Sequence, residues 1–310
     1  MKFLLSCLLF ASVSYAQIDF DRINKTHCQN LSSQTDDGYT YINSLHHYRA
    51  NNNDYFIQAK VDGFYLFHNN KKVLLEHLFS LKDFIVIDQT IWTIGKDGLF
   101  KYSMSGDLIK NIDNNLKEHE DPRSLVLDSK SKRVFMASSR RGIEVFNLNN
   151  EKITLFNSLS NINKDGGKSA AVGLDIDDQG ILFVAMSRSS QNAFDGLIAL
   201  DTKTNNVIAK AQYNQRTSGV IFPHIRLYIK GSSIFLNNGG WIHKLKREDI
   251  LSNKKLRPNW LAIINNDFEV RQYLQISGDF IFQNNNIYGC SFIHRYQQRD
   301  QISDLSVRSI

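Results

Sequence analysis

The sequence predicts an all-β fold, a β-propeller of six four-stranded blades with seven as the alternative count. Short runs of β-branched and aromatic residues alternate with turns of Gly, Asn, Asp and Ser, which is typical of strands joined by hairpins. These runs recur in groups of four. A glycine precedes the third run in five groups, at Gly63, Gly98, Gly142, Gly196 and Gly240, spaced by 35, 44, 54 and 44 residues. Periods of this length are typical of propeller blades, which stack around an axis to bury their faces.

One complete unit lies between residues 124 and 157. Its four predicted strands cover residues 124–128, 133–138, 143–148 and 153–156. Equivalent groups precede and follow this unit from residue 41 onward, and a weaker last group has its third strand at the segment that contains Cys290. A β-sandwich with as many strands is the competing interpretation, but a sandwich does not require one strand order to recur with a glycine at the same point.

The segment 173–209 reads GLDIDDQGILFVAMS and, after a loop, DGLIALDTKTNNVIA, and it resembles a blade of the NHL and senescence-marker-protein-30 type. Residues 122–148 resemble the same pattern, and the resemblance covers roughly residues 83–246. It implies the propeller fold far more than any activity. Hydrolases and lactonases of that superfamily hold a divalent metal in the channel with Glu, Asn and Asp, but their motifs have no residue-by-residue match in this sequence.

The first residues are typical of an export signal. They combine a positive start, an apolar run over 3–13 and a small-x-small cleavage site that ends at Ala16. We therefore expect a signal peptide over 1–16, a mature chain from Gln17 and a periplasmic or extracellular location. Lipidation at Cys7 is the alternative, because the residues before it resemble a lipoprotein motif. No apolar run approaches the ~20 residues of a spanning helix, so we expect no transmembrane segment.

The rest of the chain is predicted to divide into a closing segment, residues 17–40, and the propeller domain, residues 41–310. Two cysteines remain after the signal, Cys28 and Cys290, and such a pair in an exported protein favours one disulfide. This bond would join the closing segment to the last blade. Two separate buried thiols are the alternative. The C-terminal segment 304–310 is an alternative closing strand.

The charge distribution points to one face of the predicted propeller. The formal net charge of +6 over 310 residues is small, and the basic residues are scattered along the chain. Both features argue against nucleic acid as a partner. The loops from second to third strands and from fourth to first strands emerge on one face, and the longer loops cluster there, so we expect this face to bind. Its candidate residues are Arg140, Arg141, Arg188, Arg216 and His224. Arginine suits planar anions, so the expected partner is a small anionic ligand or a protein. Solvated loop charges are the alternative.

The sequence does not identify a reaction. It contains no G-x-S-x-G, P-loop, H-E-x-x-H or C-x-x-C motif. The best candidates for acid–base chemistry or a metal are the triplet His119, Glu120 and Asp121, in a loop of the same face, with Glu120 and Asp121 as the metal ligands. We therefore expect a non-enzymatic binding or interaction protein that needs no cofactor. The alternative is a metal-dependent hydrolase or lactonase that holds Ca²⁺ or another divalent metal in the channel.

Overall fold

A computed structural model describes much of the chain from residue 45 onward. The described residues are 45–50, 53–60, 63–69, 71–95, 98–112, 124–139, 141–162, 169–188, 193–212, 225–238, 241–252, 259–261, 273–283, 286–294 and 305–309. Nearly every element in these ranges is a β-strand. The predicted all-β class is therefore confirmed for the described residues.

The first three sheets are antiparallel and keep the order of their strands along the chain. Sheet 1 contains β1 (Leu45–Ala50), β2 (Asn53–Lys60), β3 (Gly63–His68) and β4 (Lys71–Leu75). Sheet 2 contains β5 (Asp83–Ile87), β6 (Thr90–Gly95), β7 (Gly98–Ser103) and β8 (Leu108–Ile112). Sheet 3 contains β9 (Ser124–Asp128), β10 (Arg133–Ala137), β11 (Ile143–Asn147) and β12 (Lys152–Asn157).

The next sheets follow the same antiparallel order. Sheet 4 contains β13 (Ser169–Ile176), β14 (Ile181–Arg188), β15 (Gly196–Asp201) and β16 (Asn206–Gln212). Sheet 5 contains β17 (Ile225–Lys230), β18 (Ser233–Asn238), β19 (Trp241–Lys246) and β20 (Asn259–Leu261), and helix α1 (Arg247–Leu251) lies between its last two strands. Sheet 6 contains β21 (Tyr273–Gln283), β22 (Asn286–His294) and β23 (Leu305–Ser309).

The first strands of successive sheets lie side by side, as blades do around an axis. β5 lies between β1 and β9, and β13 lies between β9 and β17. β1 also neighbours β21, so the sixth sheet lies beside the first. The fourth strands are peripheral, since they carry the exposed apolar residues Leu74, Ile109, Leu155 and Ile208. The arrangement is therefore propeller-like, with the first strands innermost.

The prediction of six or seven complete four-stranded blades is not met by the described residues. Sheets 1 to 4 are the four complete blades, each with a fourth strand of at least five residues. In sheet 5 the helix-containing connection replaces a tight hairpin, and the fourth strand has only three residues. Sheet 6 has three strands. The predicted closing segment, residues 17–40, lies outside the described residues.

Alternating side chains of each strand fill the spaces between neighbouring sheets. In β5, Phe84 and Val86 pack toward sheet 1, whereas Ile85 and Ile87 pack toward sheet 3. All five residues of this strand are buried. Side chains alternate between the two faces of a strand, so the sequence of a strand that is covered on both faces is a continuous apolar run. This explains why runs such as DFIVI predicted strands but lacked an alternating polar face.

At Gly142 and Gly196 the glycine before the third strand has a steric cause. At Gly142 the backbone φ is +100°, and an added Cβ would lie 2.2 Å from the carbonyl oxygen of Asn157. At Gly196 an added Cβ would lie 2.2 Å from the carbonyl oxygen of Ala211. In sheets 3 and 4 the third strand therefore starts in close contact with the end of the fourth strand, and only glycine fits there.

Replacing Gly142 with alanine should lower the free energy of unfolding by about 3 kcal/mol, because the methyl group combines an unfavourable φ with a backbone clash. Gly231→Ala is the matched control: its φ is +58°, and nothing lies within 4 Å of an added Cβ. That change should cost only about 1 kcal/mol. Denaturant titrations of both variants measure the difference, and equal losses would show that the contact with Asn157 is not tight.

The last predicted strand group folds differently from expectation. Residues predicted as two strands form the single strand β21, with a register shift between Ile276 and Phe280. The intervening residues therefore make a bulge instead of a chain reversal. As a result, Cys290 lies in β22, the second strand of its sheet instead of the third, and β23 supplies the third strand. Cys28 lies outside the described residues, so its disulfide with Cys290 stays a prediction.

Helix α1 covers the periphery of sheet 4. Ile250 is completely buried in the core that sheets 4 and 5 share. At the start of the helix, the Arg247 guanidinium donates hydrogen bonds to the Asp177 carboxylate and the Gln179 side chain, in the first turn of sheet 4. Helix α1 thus ties these two sheets together. Among the described residues, no helix is long and apolar enough to cross a membrane.

Candidate functional site

Arg141 is the one residue of the predicted cationic face whose side chain the structure describes. It lies in the turn between β10 and β11, and its Nη1 is 3.3 Å from Oε1 of Glu144. Glu144 is buried and also accepts a 2.6 Å hydrogen bond from the Ser138 hydroxyl. The Arg141 side chain remains 36% exposed. Arg141 therefore balances the charge of a buried carboxylate and is still partly exposed at the surface.

The backbone brings this turn close to a second predicted arginine. An isolated bridge joins Ser139 to Ala171, and the Ala171 N–H donates to the Ser139 carbonyl at 3.0 Å. Two residues before Ala171, Ser169 pairs with Arg188 at the end of β14. The turn that carries Arg141 and the end of β14 therefore lie at the same end of neighbouring sheets.

The other predicted site residues lie outside the described part of the chain. They are Arg140, Arg216 and His224 of the cationic face, and Glu120 and Asp121 of the metal alternative. Their roles, and the Ca²⁺ or other divalent metal of the hydrolase alternative, stay predictions. Within the described ranges, no cluster of three or more His, Cys, Asp or Glu residues is arranged to hold a metal ion.

A second polar group lies among the innermost strands, and sequence reasoning did not identify it. We call Tyr48, Asp83, Ser124 and Asp175 the axial cluster. Oδ2 of Asp83 accepts hydrogen bonds from the Leu125 N–H at 2.6 Å and from the Ser124 hydroxyl at 3.1 Å. The Ser124 oxygen in turn accepts the N–H of Leu174 at 3.2 Å. These bonds link the first strands of sheets 2, 3 and 4.

Asp175 continues the same arrangement from sheet 4 to sheet 5. Its Oδ2 accepts the Ile229 N–H at 2.6 Å, and its Oδ1 accepts the N–H of Ile176 at 2.8 Å. Asp175 is half-buried as a residue, and protein surrounds its carboxyl group. Burial raises the pKa of Asp175 to about 7, against the two N–H donors that lower it, and the charges of Asp177 and Asp83 raise it further. Burial therefore favours the protonated form of this carboxyl group, compared with an exposed aspartate.

Tyr48 extends from sheet 1 toward this centre. Its side chain packs against the core between sheets 1 and 2 and also against the core between sheets 2 and 3. Its ring centroid lies 6.1 Å from that of Phe84. Burial raises the pKa of the Tyr48 phenol, and the negative charges of Asp175 and Asp83 raise it further. Tyr48 therefore interacts electrostatically with groups of sheets 2 and 4, and its phenol stays neutral.

One signal in the sequence points to the axial cluster. Asp83 opens a strand that is otherwise apolar and buried on both faces. A polar group in such a strand must find hydrogen-bond partners within the protein. The sequence indicates this need, but it does not indicate which sheet supplies the donors.

Comparisons with known proteins show the fold. No protein-family model matches the sequence, and no curated protein matches it. One similar solved structure is the extracellular domain of a protein described as a hybrid two-component system of Bacteroides thetaiotaomicron. Its sequence identity is 13%, the match covers 83% of this chain and 32% of that chain, and the TM-score is 0.52.

Another similar structure is a protein of unknown function from the same species. Its identity is 12%, with 80% of this chain and 66% of that chain covered and a TM-score of 0.50. The chain therefore spans less than two thirds of the length of either protein. At such identities the likeness shows the fold alone, and it supports the β-propeller class. The similarity to the NHL and senescence-marker-protein-30 superfamily stays a resemblance.

Proposed function

We propose that the protein is an exported β-propeller that binds a small anionic ligand or an acidic surface of a protein partner. We define its binding surface, the arginine face, as Arg140, Arg141, Arg188, Arg216 and His224. One observation carries the proposal: the bridge between Ser139 and Ala171, which brings the turn of Arg141 to the sheet end where Arg188 lies. Guanidinium groups suit carboxylate, phosphate and sulfate groups.

Glu144 contributes to this surface through Arg141. The buried carboxylate holds one nitrogen of the guanidinium, while the side chain remains partly exposed. An arginine with a fixed position loses less conformational entropy when it binds a ligand than a freely rotating one. Arg141 is therefore a pre-positioned donor, and an anion would meet it at the rim of sheets 3 and 4.

The proposal extends to the location and closure of the molecule. Residues 1–16 have the features of a signal peptide, and one similar structure is an extracellular domain. Both observations support export. We further propose that residues 17–40 complete the ring beside the three-stranded sixth sheet, which lies next to the first sheet.

A thermal-shift screen tests the arginine face. Sulfate, phosphate, sugar acids and acidic oligosaccharides should raise the melting midpoint above that in chloride of equal ionic strength. A ligand at 100-fold its dissociation constant stabilises the native state by about 2.7 kcal/mol. The double variant Arg188→Glu with Arg216→Glu should lose the shift.

The controls separate binding from folding. Arg141 should not be reversed, because a glutamate there would face the buried Glu144 and destabilise the fold without any ligand. Lys152→Glu changes one exposed cation at the opposite end of sheet 3 and should keep the full shift. If no anion acts beyond chloride, or if Lys152→Glu loses the shift as well, the arginine face is an ordinary solvated surface.

A further inference from the structure

Two buried hydroxyl groups of sheet 2 have no hydrogen-bond partner in the part of the chain that the structure describes. They are Oγ1 of Thr93, in β6, and Oη of Tyr102, in β7. Both residues are completely buried, with 0% of their surface exposed. Folded proteins rarely leave such groups without a partner, because a buried hydroxyl has lost the hydrogen bonds that it makes to water when the chain is unfolded. The two hydroxyls therefore point to a partner that is not a protein group.

Both side chains lie on the face of sheet 2 that packs against sheet 1. Tyr102 belongs to the core between these two sheets. Thr93 pairs across the strands with Phe84 on one side and Phe100 on the other, and both phenylalanines belong to the same core. Residues that pair directly across strands point to the same face of the sheet. The two hydroxyl-bearing side chains therefore enter the same core.

The register of β6 and β7 makes these two residues close neighbours. Tyr102 pairs with Ile91, two residues before Thr93, so Thr93 and Tyr102 are diagonal neighbours. Diagonal neighbours on antiparallel strands lie roughly 7–8 Å apart. The Tyr102 ring centroid is 6.3 Å from that of Phe100, the direct partner of Thr93. No direct hydrogen bond joins the two hydroxyls, but one small molecule between them can contact both.

The chemistry of the two groups matches a water molecule. Each hydroxyl is uncharged, donates one hydrogen bond and accepts others. Burial raises the pKa of the Tyr102 phenol to about 12, so the phenol keeps its proton and remains a donor at neutral pH. On the opposing face, His46 of sheet 1 is also buried, since it pairs directly with Ile57 of the same core. Polar side chains therefore enter this core from both sheets, and a neutral molecule that both donates and accepts suits them.

We propose that an ordered water molecule is bound between sheets 1 and 2, where it forms hydrogen bonds with the hydroxyls of Thr93 and Tyr102. Buried waters of this kind typically make about three hydrogen bonds to polar groups that otherwise have no partner. Such a water is part of the packing between the first two blades. The site is separate from the arginine face and does not depend on it.

A double-mutant cycle tests whether the two hydroxyls share one partner. Thr93→Val and Tyr102→Phe each remove one hydroxyl and keep nearly the same shape. If a water links them, each single change should lower the folding equilibrium constant of the full mature chain about fivefold, as expected for one hydrogen bond. The double variant should lose less than the product of the two single losses, because both hydroxyls depend on the same water. Denaturant titration measures the four proteins of the cycle.

Oxygen-17 relaxation dispersion of the solvent is the second measurement, because it detects water molecules that are held inside a protein and exchange slowly. Its amplitude should fall by about one water molecule between the wild type and the double variant. Ile91→Val is the matched control, since Ile91 is completely buried, pairs directly with Tyr102 and leaves both hydroxyls in place. This variant should also be less stable than the wild type but should keep the full dispersion amplitude.

Each outcome decides for or against the water site. Coupled losses of stability, together with the loss of about one slowly exchanging water, support it. If either Thr93→Val or Tyr102→Phe stabilises the protein, that hydroxyl has no partner in solution and the proposal is wrong. Losses that multiply in the double variant, with an unchanged dispersion amplitude, would show two separate partners and overturn it as well. A wild type without slowly exchanging water contradicts the site even where a variant fails to fold.

Discussion

Asp83→Ala should lower the free energy of unfolding by about 4 kcal/mol. The change removes the acceptor for the Leu125 N–H and the Ser124 hydroxyl, both buried between sheets 2 and 3. Each buried donor without an acceptor costs about 1–3 kcal/mol. The Phe84 N–H, bonded to Oδ1 of Asp83 at 2.7 Å, loses its partner as well. Denaturant titration measures the loss.

An exposed carboxylate gives the comparison for Asp83. Asp107 also accepts hydrogen bonds from two side chains, the hydroxyls of Ser103 and Ser105, but it lies at the surface. Water replaces it as an acceptor, so Asp107→Ala should change stability by less than about 1 kcal/mol. Ser124→Ala combined with Asp83→Ala should be less destabilising than the sum of the two single changes. Additive losses, or a cost for Asp83→Ala as small as that of Asp107→Ala, would contradict the linkage between sheets.

The stability of the wild type should fall as the pH rises from about 4 to about 7, and Asp175 should contribute about 4 kcal/mol of this change. Burial raises the pKa of Asp175 from 3.8 to about 7 in the folded protein. Between these values the native state keeps a proton that the unfolded chain has released. Raising the pH therefore withdraws that proton from the native state and leaves a charge in a buried position. Below pH 4 and above pH 7 the contribution is constant.

Asp175→Asn isolates this contribution from other titrating groups. The amide stays neutral, so the free energy of unfolding of the variant relative to the wild type should rise by about 4 kcal/mol between pH 4 and pH 8. At low pH the variant should be the less stable protein, because the amide accepts only one of the two bonds from Ile176 and Ile229. Asp178→Asn, at an exposed position in the next turn, serves as control and should leave the pH profile unchanged. A difference between Asp175→Asn and wild type that is the same at every pH would disprove the role of burial.

The local pattern of the sequence was sufficient to predict most of the strands. The unit predicted over residues 124–157 reappears as β9 to β12 with ends within one or two residues. The pattern succeeded because strand period and turn residues are local properties. It was wrong for the last group, where residues 273–277 and 279–283 were predicted as two strands but form the single strand β21. A serine–glycine pair suits a bulge as well as a turn, so the neighbouring strand decides between them.

The candidate sites differ more from what the sequence predicted. The pairing of Arg141 with Glu144 spans only three residues, and yet the sequence did not reveal that Glu144 is buried. Apart from the polar Asp83 in an apolar strand, nothing in the sequence indicates the axial cluster, because its bonds between sheets join residues 41 to 54 positions apart. The local sequence around one residue of such a bond does not indicate which residue is its partner.

From the sequence alone one could infer a β-rich, repeating chain and the position of the glycine that starts each third strand, because strand period, turn chemistry and steric exclusion act over a few residues. Tertiary structure alone showed which sheets are complete, where Cys290 lies and that polar groups of separate blades meet near the axis. The physical reason is that the environment of Asp83 and Asp175 is made by neighbouring blades. Burial and hydrogen bonding, which govern the ionisation of Asp175, exist only once those blades pack.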